Sequence, residues 1–143
     1  MAKKSRIQPS VPRAKGDRIY PTIPSPPGEV SFNFRRLTRK GKKFNYYKCD
    51  SQYFQKLIER LKWVSSMTRL ELVSTPSKSL RSYSIDFSDP KLSEKTFGLS
   101  KDLDDTAWQF QISQRKYGRV HGYFLGDVFY IVWLDPEHEL YSK

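Results

Sequence analysis

The fold is decided by the last third of the chain. It runs Ala107-Trp108-Gln109-Phe110-Gln111-Ile112-Ser113, then Gln114-Arg115-Lys116-Tyr117-Gly118 and Arg119-Val120-His121-Gly122-Tyr123-Phe124-Leu125. Gly126-Asp127 then leads into Val128-Phe129-Tyr130-Ile131-Val132-Trp133-Leu134-Asp135-Pro136. Apolar/polar alternation at period 2 predicts half-buried strands. Two aromatic, β-branched runs joined by Gly-Asp predict a tight hairpin, with Gly126 at the positive φ of the turn.

A two-residue loop at Gly126-Asp127 fixes a register. Leu125 faces Val128, Phe124 faces Phe129, Tyr123 faces Tyr130 and Gly122 faces Ile131. Continuing without a break, His121 faces Val132, Val120 faces Trp133 and Arg119 faces Leu134. The period of 2 then sorts the side chains onto two faces. Val120, Gly122, Phe124, Phe129, Ile131 and Trp133 make a core face. Arg119, His121, Tyr123, Tyr130, Leu125, Val128, Val132 and Leu134 make a mixed, wet one. In the preceding strand Trp108, Phe110 and Ile112 point in, and Gln109, Gln111 and Ser113 point out. The expected sheet is antiparallel with one face in water.

Working outward, Asp50 is an N-cap for a helix over 51–65. Phe54, Leu57, Ile58, Leu61 and Val64 form its buried stripe. Thr68-Arg69-Leu70-Glu71 is a capping box opening a second, shorter helix that ends before Pro76. Val30 to Arg35 and Phe44 to Lys48 read as two strands of a hairpin whose tip carries Arg35, Arg36, Arg39, Lys40, Lys42 and Lys43. Arg81 to Phe87 alternates as a further strand, with Tyr83, Ile85 and Phe87 inward. Residues 91–106 read as an irregular charged connection. Helices followed by consecutive antiparallel strands predict an α+β domain, a two-helix pair packed on the sheet, over 30–143. Residues 1–29, rich in Lys, Arg, Ser and Pro, are expected to be a disordered basic arm.

Charge is distributed unevenly. Thirteen of the 26 Lys and Arg lie in residues 1–48, against two of the 15 acids, so the whole net charge of +11 belongs to that third and the remainder is neutral. A basic region on a neutral domain suits a polyanion, RNA or DNA ahead of an anionic membrane. The single cysteine, Cys49, excludes an internal disulfide and suits a reducing compartment. No apolar run approaches the ~20 residues of a membrane span. The basic N-terminus has no apolar core of a secretory signal. A cytoplasmic protein with no membrane partner is expected.

The chain has no P-loop, no Gly-x-Ser-x-Gly and no His-Glu-x-x-His. No cofactor is expected. The one metal pairing, Asp135 with His138, is of a kind that arises by chance, so no metal is expected either. Arg115, Lys116, Arg119, His121, Tyr123, Tyr130, His138 and Tyr141 remain. They are the residue types of a metal-free ribonuclease: a base for the 2′-OH, a cation for the phosphorus-centred charge and an acid for the leaving oxygen. Arg119, His121 and Tyr123 share a face by period 2, and His138 and Tyr141 share one if a helical turn forms. The same residues fit a structural reading equally well, with His121 on the sheet surface, Arg119 paired to Asp135 and Tyr141 packed over the sheet edge.

The order of motifs from Trp108 to Tyr141 resembles the C-terminal half of the RelE/ParE-like toxin superfamily. The shared features are the strand WQFQI, the basic loop SQRKYG, the Arg-opened strand GRVHGYF, the strand DVFYIVWL and the terminus DPEHELY, with a helix pair before them. The resemblance spans about residues 50–143. It implies a RelE-like toxin or endoribonuclease acting on messenger RNA at the ribosome or, in the ParE branch, a poison of gyrase, with an antitoxin protein as partner. It matches Arg119 to the strand-opening Arg, Arg115 and Lys116 to basic loop residues, and Tyr141 to a C-terminal Tyr. The candidate catalytic set is thus Arg119, His121, Tyr141 and His138. The candidate nucleic-acid contacts are the six bases at the tip with Arg115, Lys116, Tyr123 and Tyr130. Gly118 to Gly122 and Trp133 to His138 also resemble an uncharacterised bacterial or phage-borne group, which implies no activity. The alternative function is a non-enzymatic RNA- or DNA-binding accessory protein using the basic region. A third is a protein-interaction module.

Overall fold

The computed structural model describes residues 28–74, 80–114 and 116–141. In chain order the elements are β1 (Ser31–Asn33), α1 (Ser51–Val64), α2 (Arg69–Ser74), β2 (Tyr83–Ser84), α3 (Lys101–Asp104), β3 (Ala107–Ser113), β4 (Lys116–Leu125) and β5 (Val128–Asp135). The fold is α+β, with one five-stranded sheet in the order β1-β5-β4-β3-β2. The sheet is mixed: β1 runs parallel to β5, and the other pairs are antiparallel.

The local signals form as the sequence predicts. Asp50 accepts the Tyr53 N–H at 3.0 Å and caps α1. Thr68 and Glu71 satisfy each other's backbone N–H groups at 3.0 and 2.8 Å, the capping box of α2. Arg69 then ties α2 to the β4–β5 turn through the Gly126 carbonyl at 2.8 Å. The buried stripe of α1 is rotated from the expected one. Tyr53, Leu57, Arg60, Leu61 and Val64 face the sheet, while Ile58 is 60% exposed. Arg60 is drawn inward because its Nε donates to the Ile112 carbonyl of β3 at 2.8 Å.

The β4–β5 hairpin keeps the expected register from the turn to Gly122 opposite Ile131, and then a β-bulge intervenes. His121 pairs with Trp133, Val120 with Leu134 and Arg119 with Asp135. Val132 is the extra residue, and its carbonyl accepts the Thr38 N–H at 2.9 Å from outside the sheet. Gly122 sits at the bulge because a Cβ there would lie 2.1 Å from the Tyr130 carbonyl oxygen. The bulge moves Trp133 off the helix-covered face and puts Leu134 there instead.

Both faces of the sheet are covered, which corrects the expected wet face. On one side Leu57, Leu61, Val64 and Leu72 pack on Phe110, Val120, Phe124, Phe129, Ile131 and Leu134. On the other Phe44, Ile85, Leu92, Phe97 and Leu140 pack on Ala107, Tyr123, Val132 and Trp133. Gln109 and Gln111, expected to point to water, are buried. The covering layer is built from irregular segments, including 85–97 and the turn after β5.

The expected 30–35/44–48 hairpin does not form. β1 joins β5, and Tyr46–Lys48 is a 3-10 turn. The expected strand at 81–87 contracts to two residues, with Tyr83 exposed and Ile85 buried. The connection at 91–106 contains α3, capped by Ser100. Most of the expected arm lies outside the described residues. Its last two residues are ordered: Glu29 bridges to Thr68, and the Gly28 carbonyl accepts the Arg69 N–H at 2.9 Å.

Candidate nucleic-acid interface

His121 has no exposed surface. Its Nε2 lies 3.0 Å from Asp135 Oδ2, and its ring is edge-on to Phe44 and Trp133. Asp135 also accepts the backbone N–H groups of Glu139 and Leu140 at 2.7 and 3.0 Å, so it folds the turn after β5. Burial pushes the His121 pKa down, and the hydrogen bond and charge of Asp135 only partly offset it. Burial pushes the Asp135 carboxyl up, but the hydrogen bonds it accepts outweigh this and hold it below the usual carboxylate value. Nδ1 of His121 has no hydrogen-bond partner among the described residues. A neutral ring that donates from Nε2 leaves only a lone pair bare there. Protonation would bury an N–H without an acceptor, which costs more. The geometry thus holds His121 neutral and structural, and the expectation that it faces a substrate is corrected.

The other expected catalytic residues are only partly brought together. Arg119 donates to Gln109 Oε1 at 3.2 Å, and Gln109 Nε2 donates to the Tyr141 hydroxyl at 2.6 Å. Arg119 and Tyr141 are half-buried at the two ends of this chain. His138 is exposed at a φ of +56°, and no helical turn places it beside Tyr141. Tyr123 and Tyr130 are stacked cross-strand partners at 5.2 Å, but Tyr123 is buried under Phe97 and offers no open ring to a base. Lys116 is exposed, and Arg115 lies outside the described residues. Among the described residues no His, Cys, Asp and Glu side chains gather into a metal-binding group. No helix among them is long and apolar enough to cross a membrane.

The basic tip is a loop laid over the second face of the sheet. The Thr38 N–H bonds to the bulge carbonyl of Val132 at one end. Phe44, at a φ of +57°, plugs the second core at the other. Between them Lys40 and Lys43 exchange backbone hydrogen bonds around Gly41. Residues 35–48 hold seven bases and no acid. Lys43 is engaged by Glu94 at 2.5 Å, and Lys40 is half-buried. Arg35, Arg36, Arg39, Lys42 and Lys48 are exposed. The Arg39 guanidinium lies 4.0 Å over the ring of Tyr47, which is 69% exposed, and Phe34 is 48% exposed. Tyr47 and Lys48 are absent from the contacts expected from sequence because 44–48 reads as the return strand of a hairpin. Aromatic residues directly following a run of bases were the available signal. No family model, curated protein or solved structure matches the chain significantly.

Proposed function

We propose that this chain is a non-enzymatic binder of single-stranded nucleic acid, with RNA as its ligand, and that the loop at 35–48 is its contact surface. One observation carries the reading: exposed guanidinium and ammonium groups stand beside an open aromatic ring, Arg39 over Tyr47, on a loop pinned at both ends. Cations neutralise phosphates and release counterions, while open rings stack on unpaired bases. Binding has more support than cleavage because His121 is sealed in the core.

Titrating the full chain against labelled single-stranded RNA over a range of salt tests this. Affinity should fall steeply with salt. Replacing Arg35, Arg36, Arg39 and Lys42 together by Ala should lower the slope by up to roughly 3, about 0.7 for each phosphate no longer neutralised. Absence of binding at low salt would reject the reading.

A further inference from the structure

Beside the basic loop lies a pocket of about 290 Å³, at the small end of ligand pockets, which run about 300–1,000 Å³. It opens between the N-terminus of α1, the start of β4 and the turn after β5. Tyr53 and Tyr117 line it with rings set edge to face at 6.0 Å. The Tyr53 hydroxyl is fully buried and has no hydrogen-bond partner among the described residues. A buried hydroxyl without a partner is costly, and native proteins rarely leave one so. Tyr117 is held at a φ of +68°, a conformation that costs a β-substituted residue of order 1–3 kcal/mol and recurs at ligand sites.

The charged groups at the pocket complete a pattern. Lys42 and Lys48 line it, are exposed, and have no ion-pair partner among the described residues. Glu137 lines it too and is exposed, with no hydrogen-bond partner among them. Asp50 and Glu139 are already engaged, by the Tyr53 and Phe44 N–H groups. Three carboxylates, Asp50, Glu137 and Glu139, and two ammonium groups thus stand at the pocket next to aromatic rings, and among them the Tyr53 hydroxyl and the Glu137 carboxylate have no hydrogen-bond partner among the described residues. Lys42 and Lys48 also belong to the loop at 35–48, so a strand on the loop passes the pocket mouth.

We infer that this pocket receives one unpaired, amino-bearing base of the strand held by the basic loop. The Glu137 carboxylate accepts the exocyclic amino group, the Tyr53 hydroxyl donates to a ring nitrogen or carbonyl of the base, and Lys42 and Lys48 hold the flanking phosphate. Adenine, cytosine and guanine carry such an amino group and uracil does not. The inference rests on the nucleic-acid reading above and adds a base preference to it.

The test measures fluorescence anisotropy of the full chain with short homopolymeric ribo-oligonucleotides. Oligo(A) and oligo(C) should bind about tenfold more tightly than oligo(U). Tyr53→Phe, which removes only the unpartnered hydroxyl, should weaken oligo(A) binding about fivefold and leave oligo(U) unchanged. Glu137→Ala, which removes the acceptor, should erase the preference. AMP should compete only weakly, since it lacks the neighbouring phosphates, and competition by AMP equal to that by oligo(A) overturns the strand reading. Cys49, the only cysteine of the chain, lines the same pocket, so saturating oligo(A) should slow its alkylation. Equal affinity for all homopolymers, with Tyr53→Phe and the alkylation rate unaffected, overturns the pocket while leaving the loop as the binding surface. Absence of binding to any of them overturns both.

Discussion

Phe44 stacks on Trp133, with ring centroids 4.6 Å apart and planes inclined by 18°. Both rings are fully buried. The contact joins the far end of the basic loop to the residue that the β5 bulge turns onto the second face. The loop is therefore held by the core itself, and its charges are presented from a fixed base.

Trp133→Ala and Phe44→Ala should each cost about 3–5 kcal/mol, read from urea or guanidinium unfolding. The two side chains pack against each other, so the double variant should cost less than the sum of the singles. Phe44→Ala should also weaken RNA binding, because it frees one end of the loop. A loss below about 1 kcal/mol for either single variant would place that ring outside the core.

The parts of this fold legible in the sequence are those fixed by near neighbours. Asp50 and the Thr68/Glu71 box needed only a few residues of context. The hairpin register followed from Gly126 as far as Gly122. Beyond that, Val132 continues the alternation without a break, so nothing local marks it as the extra residue. Its acceptor role depends on Thr38, far away in the chain. The second core was hidden for the same reason. Its cover comes from irregular, charged segments, and Phe97 and Leu140 have no period to announce them. Gln109 read as outward because it is polar, yet it is buried with both ends of its amide engaged by Arg119 and Tyr141. In the candidate interface the bases were legible as charge. The exposure of Tyr47 was not, because 44–48 reads as a strand where the chain instead makes a 3-10 turn.

Acidification should destabilise the protein through the His121–Asp135 pair. The folded-state pKa of His121 is depressed below the ordinary histidine value, about 6.5, by burial. The unfolded chain therefore binds a proton that the folded chain refuses. This contribution is fully present above about pH 6.5 and is lost as pH falls toward the folded value, with a slope of at most about 1.4 kcal/mol per pH unit. Asp135, also depressed in the fold, adds a second loss in the same direction below the ordinary carboxylate range. His121→Gln can keep a donor to Asp135 but cannot titrate, so it should flatten the stability profile just below about pH 6.5. An unchanged profile in that variant would assign the acid sensitivity elsewhere.

The arm should add affinity without setting base preference. Residues 1–27 carry six Lys and Arg against one acid. Deleting them leaves the ordered pairing of Gly28 and Glu29 with Thr68 and Arg69 intact, so the domain should keep its melting temperature. RNA binding should weaken and its salt slope should fall, by about 0.7 for each phosphate the arm had neutralised. If neither affinity nor slope changes, the arm makes no phosphate contact and the loop acts alone.

Binding and cleavage separate in one assay. Incubated with RNA in EDTA, the full chain should retain the RNA uncut, because His121, the imidazole expected to act with Arg119, has its ring enclosed by Phe44, Trp133 and Asp135. Arg119 is itself tied to the Gln109 amide, and that amide to the Tyr141 hydroxyl, an arrangement that orders the sheet end without any outside ligand. Arg119→Ala should therefore change RNA affinity by less than about threefold and lower stability modestly, by about 1 kcal/mol for the missing hydrogen bond. Metal-independent cutting would reverse this assignment if Arg119→Ala slowed it by the hundredfold or more expected on removing a charge stabiliser. His138→Ala and Tyr141→Phe would then identify the proton-transfer partner. His138 is the only imidazole open to solvent, so a rate that depends on it and not on His121 would place the chemistry at the turn after β5.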